Sequence, residues 1–319
     1  MTRLIDLPDV LFPVDLRPIL ADIPDSFGDR LVPVPNRKAI VNLSTSQVLG
    51  IVSRDYRLVT NHEALEMAYE CCIAVFPETK PIEWQVTAVD APMTGGHCCI
   101  DLQHNSTALD FNAVPAGDRP DVFGPFIRVT NSYNGLRALT FNIGFFRKVC
   151  KNGMILAREV IKFRFSHARS EIPEKIEFLV ARERLLDLRT DFVSYLSALR
   201  KCAVPRRDFE PIICGVLHFV KPHLEHASPN QVSDWTDLTA QLAGMSDRYA
   251  AALGETAYAV FNVITEFASN PAHNRCVHRD RDSLQRLAGT WLNGFSQKCS
   301  NPGFHLDDYM TTLTNAAAA

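Results

Sequence analysis

Several features that define common protein classes are missing from this chain of 319 residues. It contains no apolar run of about 18 residues, so no membrane-spanning helix and no membrane partner are predicted. The N-terminus lacks the basic and apolar segments of a secretory signal peptide, which predicts a cytoplasmic protein. We find no internal repeat and no low-complexity tract.

The local motifs of common enzymes are absent as well. There is no Gly-x-x-x-x-Gly-Lys phosphate loop, no Gly-x-Gly-x-x-Gly dinucleotide motif and no Gly-x-Ser-x-Gly nucleophile elbow. We therefore expect no cofactor and no catalytic residue of a known local type. The sequence favours a non-enzymatic protein over an enzyme.

The nine cysteines do not follow a metal-binding or disulfide pattern. No Cys-x-x-Cys occurs, the count is odd, and four of the nine stand in adjacent pairs, so we predict reduced thiols that act as small buried hydrophobes. One polar segment does carry three side chains of types that zinc accepts: His273, Cys276 and His278. Their spacing matches no standard zinc site, and no metal is predicted.

The first half of the chain has the pattern of antiparallel hairpins. Residues 39–43 and 48–52 form the first predicted hairpin, and residues 83–89 and 97–102 form the second. The third joins residues 126–130 to 136–143 through Asn131-Ser132-Tyr133-Asn134-Gly135, because Asn-Gly favours a tight turn. Residues 160–165 alternate basic and aromatic side chains and predict a last strand. Between the first two hairpins, Thr60 and Glu63 make a capping box that begins a helix.

After residue 171 the apolar period changes to that of helices. A long helix is predicted to end before Pro205, and further helices follow over residues 209–219, 231–243, 256–268 and 282–297. The predicted fold class is therefore α+β, with an N-terminal antiparallel sheet built from hairpins and a packed helix, followed by a C-terminal helical bundle. The predicted divisions are an irregular, proline-rich arm (1–37), an α+β domain (38–170), a helical domain (171–300) and a tail (301–319).

Charge is distributed unevenly along the chain. Residues 126–169 carry nine Lys or Arg and one acid, Glu159, which gives +8 in a protein of net charge −3, so the remainder sums to −11. Segregated positive charge of this kind is typical of surfaces that bind an anionic polymer. Eight residues of this segment are predicted to contact nucleic acid, seven through charge and Tyr133 through an exposed ring at a turn tip: Arg128, Tyr133, Arg137, Arg147, Lys148, Lys151, Lys162 and Arg164.

Three segments resemble a family of phage- and plasmid-borne proteins, the domain-of-unknown-function family 932. They are residues 48–56, residues 131–135 leading to 147–153, and residues 258–267. The family usually has Asn-Ser-His-Asp-Gly-Ser in the second segment, where this chain has Tyr133, Asn134 and Leu136. The resemblance implies a mobile genetic element and an association with DNA, and the predicted sheet backed by a helix is similar to single-strand annealing proteins.

These observations favour a DNA-associated protein of single-strand binding or annealing type that assists recombination or replication. Self-association into a homo-oligomer is left open. One alternative is an enzyme acting on a nucleotide or nucleic acid through Asn131, Asn134, Asn152 and His167. Another is a structural or host-interaction protein whose acidic remainder meets the partner.

Overall fold

Antiparallel strands and helices segregate along the chain as the hydrophobic periods predict. The computed structural model describes residues 2–4, 6–25, 28–112, 121–148, 152–155, 162–165, 167, 176–223, 226–272 and 274–318. The strands are β1 (Thr2–Leu4), β2 (Val14–Asp25), β3 (Gly28–Asn42), β4 (Val48–Ser53), β5 (Trp84–Pro92), β6 (His97–His104), β7 (Phe111–Asn112), β8 (Val122–Ser132), β9 (Leu139–Arg147), β10 (Asn152–Ile155) and β11 (Lys162–Phe165). The helices are α1 (Asn61–Val75), α2 (Ile176–Lys201), α3 (Phe209–Leu217), α4 (Pro229–Leu253), α5 (Ala257–Ser269), α6 (Arg281–Cys299) and α7 (Leu306–Ala318). The predicted α+β class is confirmed.

The chain forms two compact units that interleave in sequence. The first contains Met1–Thr107, Phe126–Ile143 and Val160–Leu185, and the second contains Ala108–Pro125, Gly144–Glu159 and Leu186–Ala319. Strands β8 and β9 and helix α2 therefore contribute residues to both units. The linear division predicted at residue 171 differs from this interleaved one.

In the first unit, sheet order is β1-β5-β6-β8-β9, with β11 paired to β9, and a separate sheet has the order β2-β3-β4. The predicted pairing of residues 39–43 with 48–52 is confirmed by β3 and β4, and that of 83–89 with 97–102 by β5 and β6. Gly135, in the turn between β8 and β9, has φ +71°, a conformation that costs glycine least.

The predicted irregular arm is wrong. Its residues form most of β2 and β3, which pair antiparallel from Val14 opposite Asn42 to Asp25 opposite Gly28. Pro18 and Pro24 stand in β2, where the unpaired side of an edge strand needs no backbone donor. Proline content therefore marked an edge strand rather than an irregular segment.

Helix α1 begins as its sequence predicts. The Thr60 hydroxyl accepts a hydrogen bond from the Glu63 backbone N–H at 3.1 Å, and the Glu63 carboxylate accepts from the Thr60 N–H at 2.7 Å. This capping box satisfies two backbone donors at the helix start. The first turn of α1 lies beside β8. Asn131 of β8 and Tyr133, the residue after β8, both hydrogen-bond to Asn61 in this turn.

In the second unit, β7 pairs with β8, β10 pairs with β9, and helices α3 to α7 form the bundle. Every residue of α5 except Glu266 is buried, so α5 is the central helix, and α3, α4, α6 and β10 pack on it. Helix α7 covers part of the region predicted as a tail and packs on α3. The Tyr309 hydroxyl of α7 accepts a hydrogen bond from the Trp291 indole at 3.0 Å.

Candidate nucleic-acid interface

Arg128 lies in the interior of the first unit rather than on its surface. It stands directly opposite Asp101 of the neighbouring strand, and its side chain is fully buried. The guanidinium donates to both carboxylate oxygens, from Nε at 2.5 Å and from a terminal nitrogen at 2.7 Å. The bidentate pair satisfies two buried charges, and the prediction that Arg128 faces a phosphate backbone is wrong.

Tyr133 is also buried, and the prediction of an exposed ring at the turn tip is wrong. Its hydroxyl accepts a hydrogen bond from the Asn61 backbone N–H at 2.7 Å, in the first turn of α1. The turn lies close against β4 because Gly50 has no side chain. A Cβ at this position would lie 2.5 Å from the Tyr133 carbonyl oxygen, so only glycine permits this approach. Burial raises the pKa of Tyr133, so its phenol stays neutral at physiological pH.

Two asparagines connect this turn to the start of α1. The Asn131 side-chain amide donates to the Val59 carbonyl and to the Asn61 side-chain oxygen, both at 2.9 Å. The Asn61 amide in turn donates to the Val10 carbonyl at 2.8 Å. These bonds hold the N-terminus of α1 against β8, which is a structural use of Asn131, one of the four residues named for the enzyme alternative.

His167 packs against the loop that precedes α1. Its ring stacks on Tyr56 with centroids 4.6 Å apart, and its Nδ1 lies 3.0 Å from the Arg57 carbonyl oxygen. A carbonyl accepts only, so Nδ1 carries the proton and Nε2 has the lone pair. Burial lowers the pKa of His167, which keeps the ring neutral.

The four residues of the rival enzyme site divide between the two units. Asn131 and His167 belong to the first unit, whereas Asn152 belongs to the second. The Asn134 side-chain oxygen accepts from the Ser132 hydroxyl at 2.7 Å and from the Leu136 N–H at 3.1 Å, which shapes the turn. In the part of the chain that the structure describes, these contacts stabilise the turn and the loop.

Arg147, in the second unit, binds an acid that the sequence did not suggest. Its Nε donates to Asp121 at 2.5 Å, and a terminal nitrogen of Arg200 donates to the other oxygen of the same carboxylate at 2.8 Å. The Tyr258 hydroxyl also donates to Asp121, and the Arg200 guanidinium lies 4.3 Å from the centroid of the Tyr258 ring. Burial and the Asp121 charge raise the pKa of Tyr258 to about 12. Because Asp121, Arg200 and Tyr258 lie far apart in sequence, no local pattern links them.

Lys148 is paired in the same unit. Its Nζ lies 3.0 Å from Asp110, and it also lies over the Phe146 ring at 5.3 Å. Both partners are largely shielded from solvent, with 28% of the Lys148 side chain and 9% of the Asp110 side chain exposed. Arg147 and Lys148 therefore support the fold of this unit as well as its surface charge.

The remaining predicted cations lie at one end of the first unit's sheet or outside the described residues. Arg137 is half-buried in the segment between β8 and β9. Lys162 stands opposite Asn142 and Arg164 opposite Thr140, as alternate residues on one face of β11. No other described strand pairs with β11, so it forms an edge. Lys151 lies outside the described residues.

The two described candidate metal ligands, Cys276 and His278, differ in their exposure to solvent. Cys276 is buried and His278 is exposed, whereas His273 lies outside the described residues. Across the described ranges, no group of three His, Cys, Asp or Glu side chains could hold a metal ion. The eight cysteines among those ranges are all free thiols.

Comparison with known protein families gives a match over the middle of the chain. The model of a family described as Domain of unknown function (DUF932) matches residues 103–291, which is more than half of the chain. No curated protein and no solved structure matches. Among the described helices, none is long and apolar enough to cross a membrane.

Proposed function

The chain belongs to the DUF932 family, and from that premise we propose that it is a non-enzymatic, DNA-associated protein of a phage or plasmid. In this proposal it acts in the cytoplasm as a single-strand binding or annealing protein that assists recombination or replication. The contact is to the phosphate backbone and does not depend on sequence, because Lys and Arg neutralise phosphates irrespective of the bases.

The observation that carries the proposal is the segregation of charge. Residues 126–169 sum to +8 in a chain of net charge −3. Arg128, Arg147 and Lys148 are neutralised by Asp101, Asp121 and Asp110, which all lie outside this segment. Setting these three cations aside leaves 8 − 3 = +5, still opposite in sign to the rest of the chain.

Edge strand β11 supplies one part of the proposed interface. Lys162 and Arg164 fall on one face of a short strand, while Phe163 and Phe165 fall on the other. A strand rises by about 3.3 Å per residue, so alternate cations are about 6.6 Å apart, close to the spacing of phosphates along a nucleic-acid strand. The proposed interface in the first unit is therefore β11 together with Arg137, and the contribution of Lys151 stays a prediction from the sequence.

Fluorescence anisotropy with a labelled single-stranded oligonucleotide and its duplex tests the proposal. The decisive variant is Lys162→Glu/Arg164→Glu, which reverses the two charges of β11. The matched control, Arg207→Glu/Lys298→Glu, changes the net charge equally at two exposed positions of the second unit.

We expect the single strand to bind more tightly than the duplex, the β11 variant to lose most of the affinity, and the control to retain it. Binding that both variants reduce equally would show that only net charge matters and would contradict an interface on β11. No binding at low salt would contradict the proposed function itself. Reversal of Arg147 or Lys148 is unsuitable because it would place acid against Asp121 or Asp110.

A further inference from the structure

Two thiols of the second unit are in contact although they lie far apart in sequence. The Cys202 and Cys299 thiols share a hydrogen bond. Both residues belong to the second unit, and both are half-buried, so a small reagent can reach them from solvent. Because the two sulfur atoms already touch, only a small movement of the side chains separates this contact from a disulfide.

Backbone hydrogen bonds hold Cys202 in place. The residue directly follows α2, and its carbonyl oxygen accepts from the Ala257 N–H, in the first turn of α5, at 2.9 Å. The next residue, Ala203, forms an antiparallel bridge with Thr256, the N-cap of α5. These contacts attach Cys202 to the start of α5, the central helix of the unit.

Cys299 is positioned by a well-packed helix. It is the last residue of α6, which buries Trp291, Leu292 and Phe295 and packs on α5. Beyond it, the Ser300 N–H still donates to the carbonyl of residue 296 at 3.1 Å, so the helical bonding continues past the cysteine. Both cysteines are therefore placed by elements that bond to or pack on α5, and their contact does not depend on an exposed loop.

The hydrogen bond makes the two thiols unequal in reactivity. It lowers the pKa of Cys202, against the opposing effect of partial burial, and it raises the pKa of Cys299. Cys202 is therefore the thiol that ionises first and attacks a reagent. Burial instead raises the pKa of Cys71 and Cys98 in the first unit, and it raises the pKa of Cys214 in the second to about 12. Those three thiols are correspondingly less reactive.

We propose that Cys202 and Cys299 form an oxidation site, at which a low-molecular-weight disulfide such as oxidised glutathione converts them into an intramolecular disulfide. The Cys202 thiolate attacks one sulfur of the reagent, forms a mixed disulfide and releases one glutathione thiolate. The Cys299 thiolate then attacks the Cys202 sulfur and releases the second. Together the two cysteines lose two electrons, the reagent gains them, and the two cysteine protons end on the two glutathione thiols. This inference does not depend on the proposed function.

The disulfide links the end of α2 to the end of α6 and closes a long loop. Its span is 299 − 202 = 97 residues, and it contains α3, α4, α5 and α6. A cross-link over so long a loop strongly restricts the unfolded chain and thereby favours the folded one. We therefore expect oxidation to raise the midpoint of thermal unfolding by about 5 °C or more.

Peptide mapping of the full chain after incubation with oxidised glutathione tests the proposal. Remaining thiols are blocked with N-ethylmaleimide in acidic urea before digestion with trypsin. Trypsin cuts after Lys201, Arg206 and Lys298, so residues 202–206 and 299–319 leave as two peptides with one cysteine each. We expect these two peptides to be joined by a disulfide and to separate on treatment with dithiothreitol.

Two serine variants and a control assign the roles of the two thiols. Cys299→Ser removes the second attack, so the reaction should stop at a mixed disulfide on Cys202. Cys202→Ser should form a mixed disulfide at Cys299 several-fold more slowly, because that thiol ionises less readily. Cys214→Ser is the matched control, since Cys214 is a half-buried thiol of α3, and it should leave both the link and the rise in midpoint intact.

Two mapping results would overturn the proposal. One is a wild type whose two peptides stay separate, each carrying N-ethylmaleimide or glutathione. The other is a link that appears only after the chain is unfolded in urea, because the fold would then not bring the thiols together. An oxidised protein that melts no higher than the reduced one would contradict the effect of the cross-link on the unfolded chain. The mapping uses the wild type, so it remains decisive even where a serine variant fails to fold.

Discussion

Arg128 and Asp101 show what a cation in a basic segment can do besides binding a polymer. Their bidentate contact is fully buried, so each charge is stabilised chiefly by the other. Removing one partner of such a pair is far more damaging than removing an exposed one, because the remaining charge stays in a medium of low polarity. The pair is therefore a structural feature of β6 and β8.

We expect Arg128→Leu to lower the free energy of unfolding by about 3–5 kcal/mol, because the buried Asp101 carboxylate would lose its bidentate cationic partner. Arg275→Leu is the matched control, since the Arg275 side chain is 68% exposed in its 3.6 Å pair with Asp234 and such a pair should be worth less than about 1 kcal/mol. Urea denaturation followed by circular dichroism measures both changes. Equal losses from the two substitutions would show that the Arg128 pair is not shielded from solvent.

Burial of His167 makes the free energy of unfolding depend on pH in the acidic range. Burial lowers its pKa in the folded protein, so the unfolded chain takes up a proton at higher pH than the folded one. The contribution to stability is present above the unfolded pKa of about 6.5 and is lost as the pH falls below it. We expect His167→Phe, which keeps a ring on Tyr56 but cannot titrate, to flatten the fall in unfolding free energy between about pH 6.5 and 5.

Urea denaturation at several pH values measures that slope. The control is His62→Gln, because His62 is exposed and its pair with Glu66 spans 3.5 Å at the surface. A slope that His167→Phe leaves unchanged would contradict a buried, neutral His167.

At the scale of elements, substitution of two glycines tests the packing of the turn after β8. Gly50 is crowded by this turn, whereas Gly244 is surrounded by open space. A Cβ on Gly50 would lie 2.4 Å from the Asn134 Cα, whereas a Cβ on Gly244 in α4 would meet nothing within 4 Å. We expect Gly50→Ala to cost about 1–3 kcal/mol through forced backbone shifts. Gly244→Ala should instead stabilise by about 0.5–1 kcal/mol, because alanine favours a helix interior.

Thermal or urea unfolding of the two alanine variants measures these opposite signs. Destabilisation of both by a similar amount would show that the substitutions act through something other than the contact at Asn134.

Regular elements were largely predictable because their signals are local. The Thr60 capping box, the residue 39–52 hairpin and the helices after residue 176 follow from periods and caps within a few residues. The β2–β3 pair was not predicted, because proline usually indicates a break in a strand. An edge strand such as β2 accepts proline, but the sequence alone does not reveal which strands lie at an edge.

Site residues were less predictable because their partners are distant. Alternation places Arg128 on a strand face but does not reveal Asp101, which stands opposite it only once β6 and β8 pair. Tyr133 lies in the turn that the Asn-Gly pattern predicts. Its burial depends on Gly50 and Asn61, which belong to other elements, so the sequence did not predict it. The acid that neutralises Arg147 is Asp121, which lies just before β8 and 26 residues away in sequence, so charge counted along the sequence overstates the positive surface.

At the scale of the whole molecule, opposite charges are kept apart along the sequence. The chain is acidic overall, yet residues 126–169 carry a formal charge of +8, of which Arg128, Arg147 and Lys148 pair with acids outside the segment. An acidic protein that binds DNA does so against its own net repulsion, so salt should act on the local contacts of β11. The dependence of affinity on salt therefore reports how many cations meet phosphates.

The most direct test is the slope of log affinity against log salt for a single-stranded oligonucleotide, compared between the wild type and Lys162→Glu/Arg164→Glu. Each phosphate contact contributes about 0.7 to the slope for single strands, so losing two contacts should make the variant's slope shallower by about 1.4. The Arg207→Glu/Lys298→Glu control should keep the wild-type slope. Identical slopes for all three proteins, or no binding at about 50 mM salt, would contradict a phosphate-binding surface on β11.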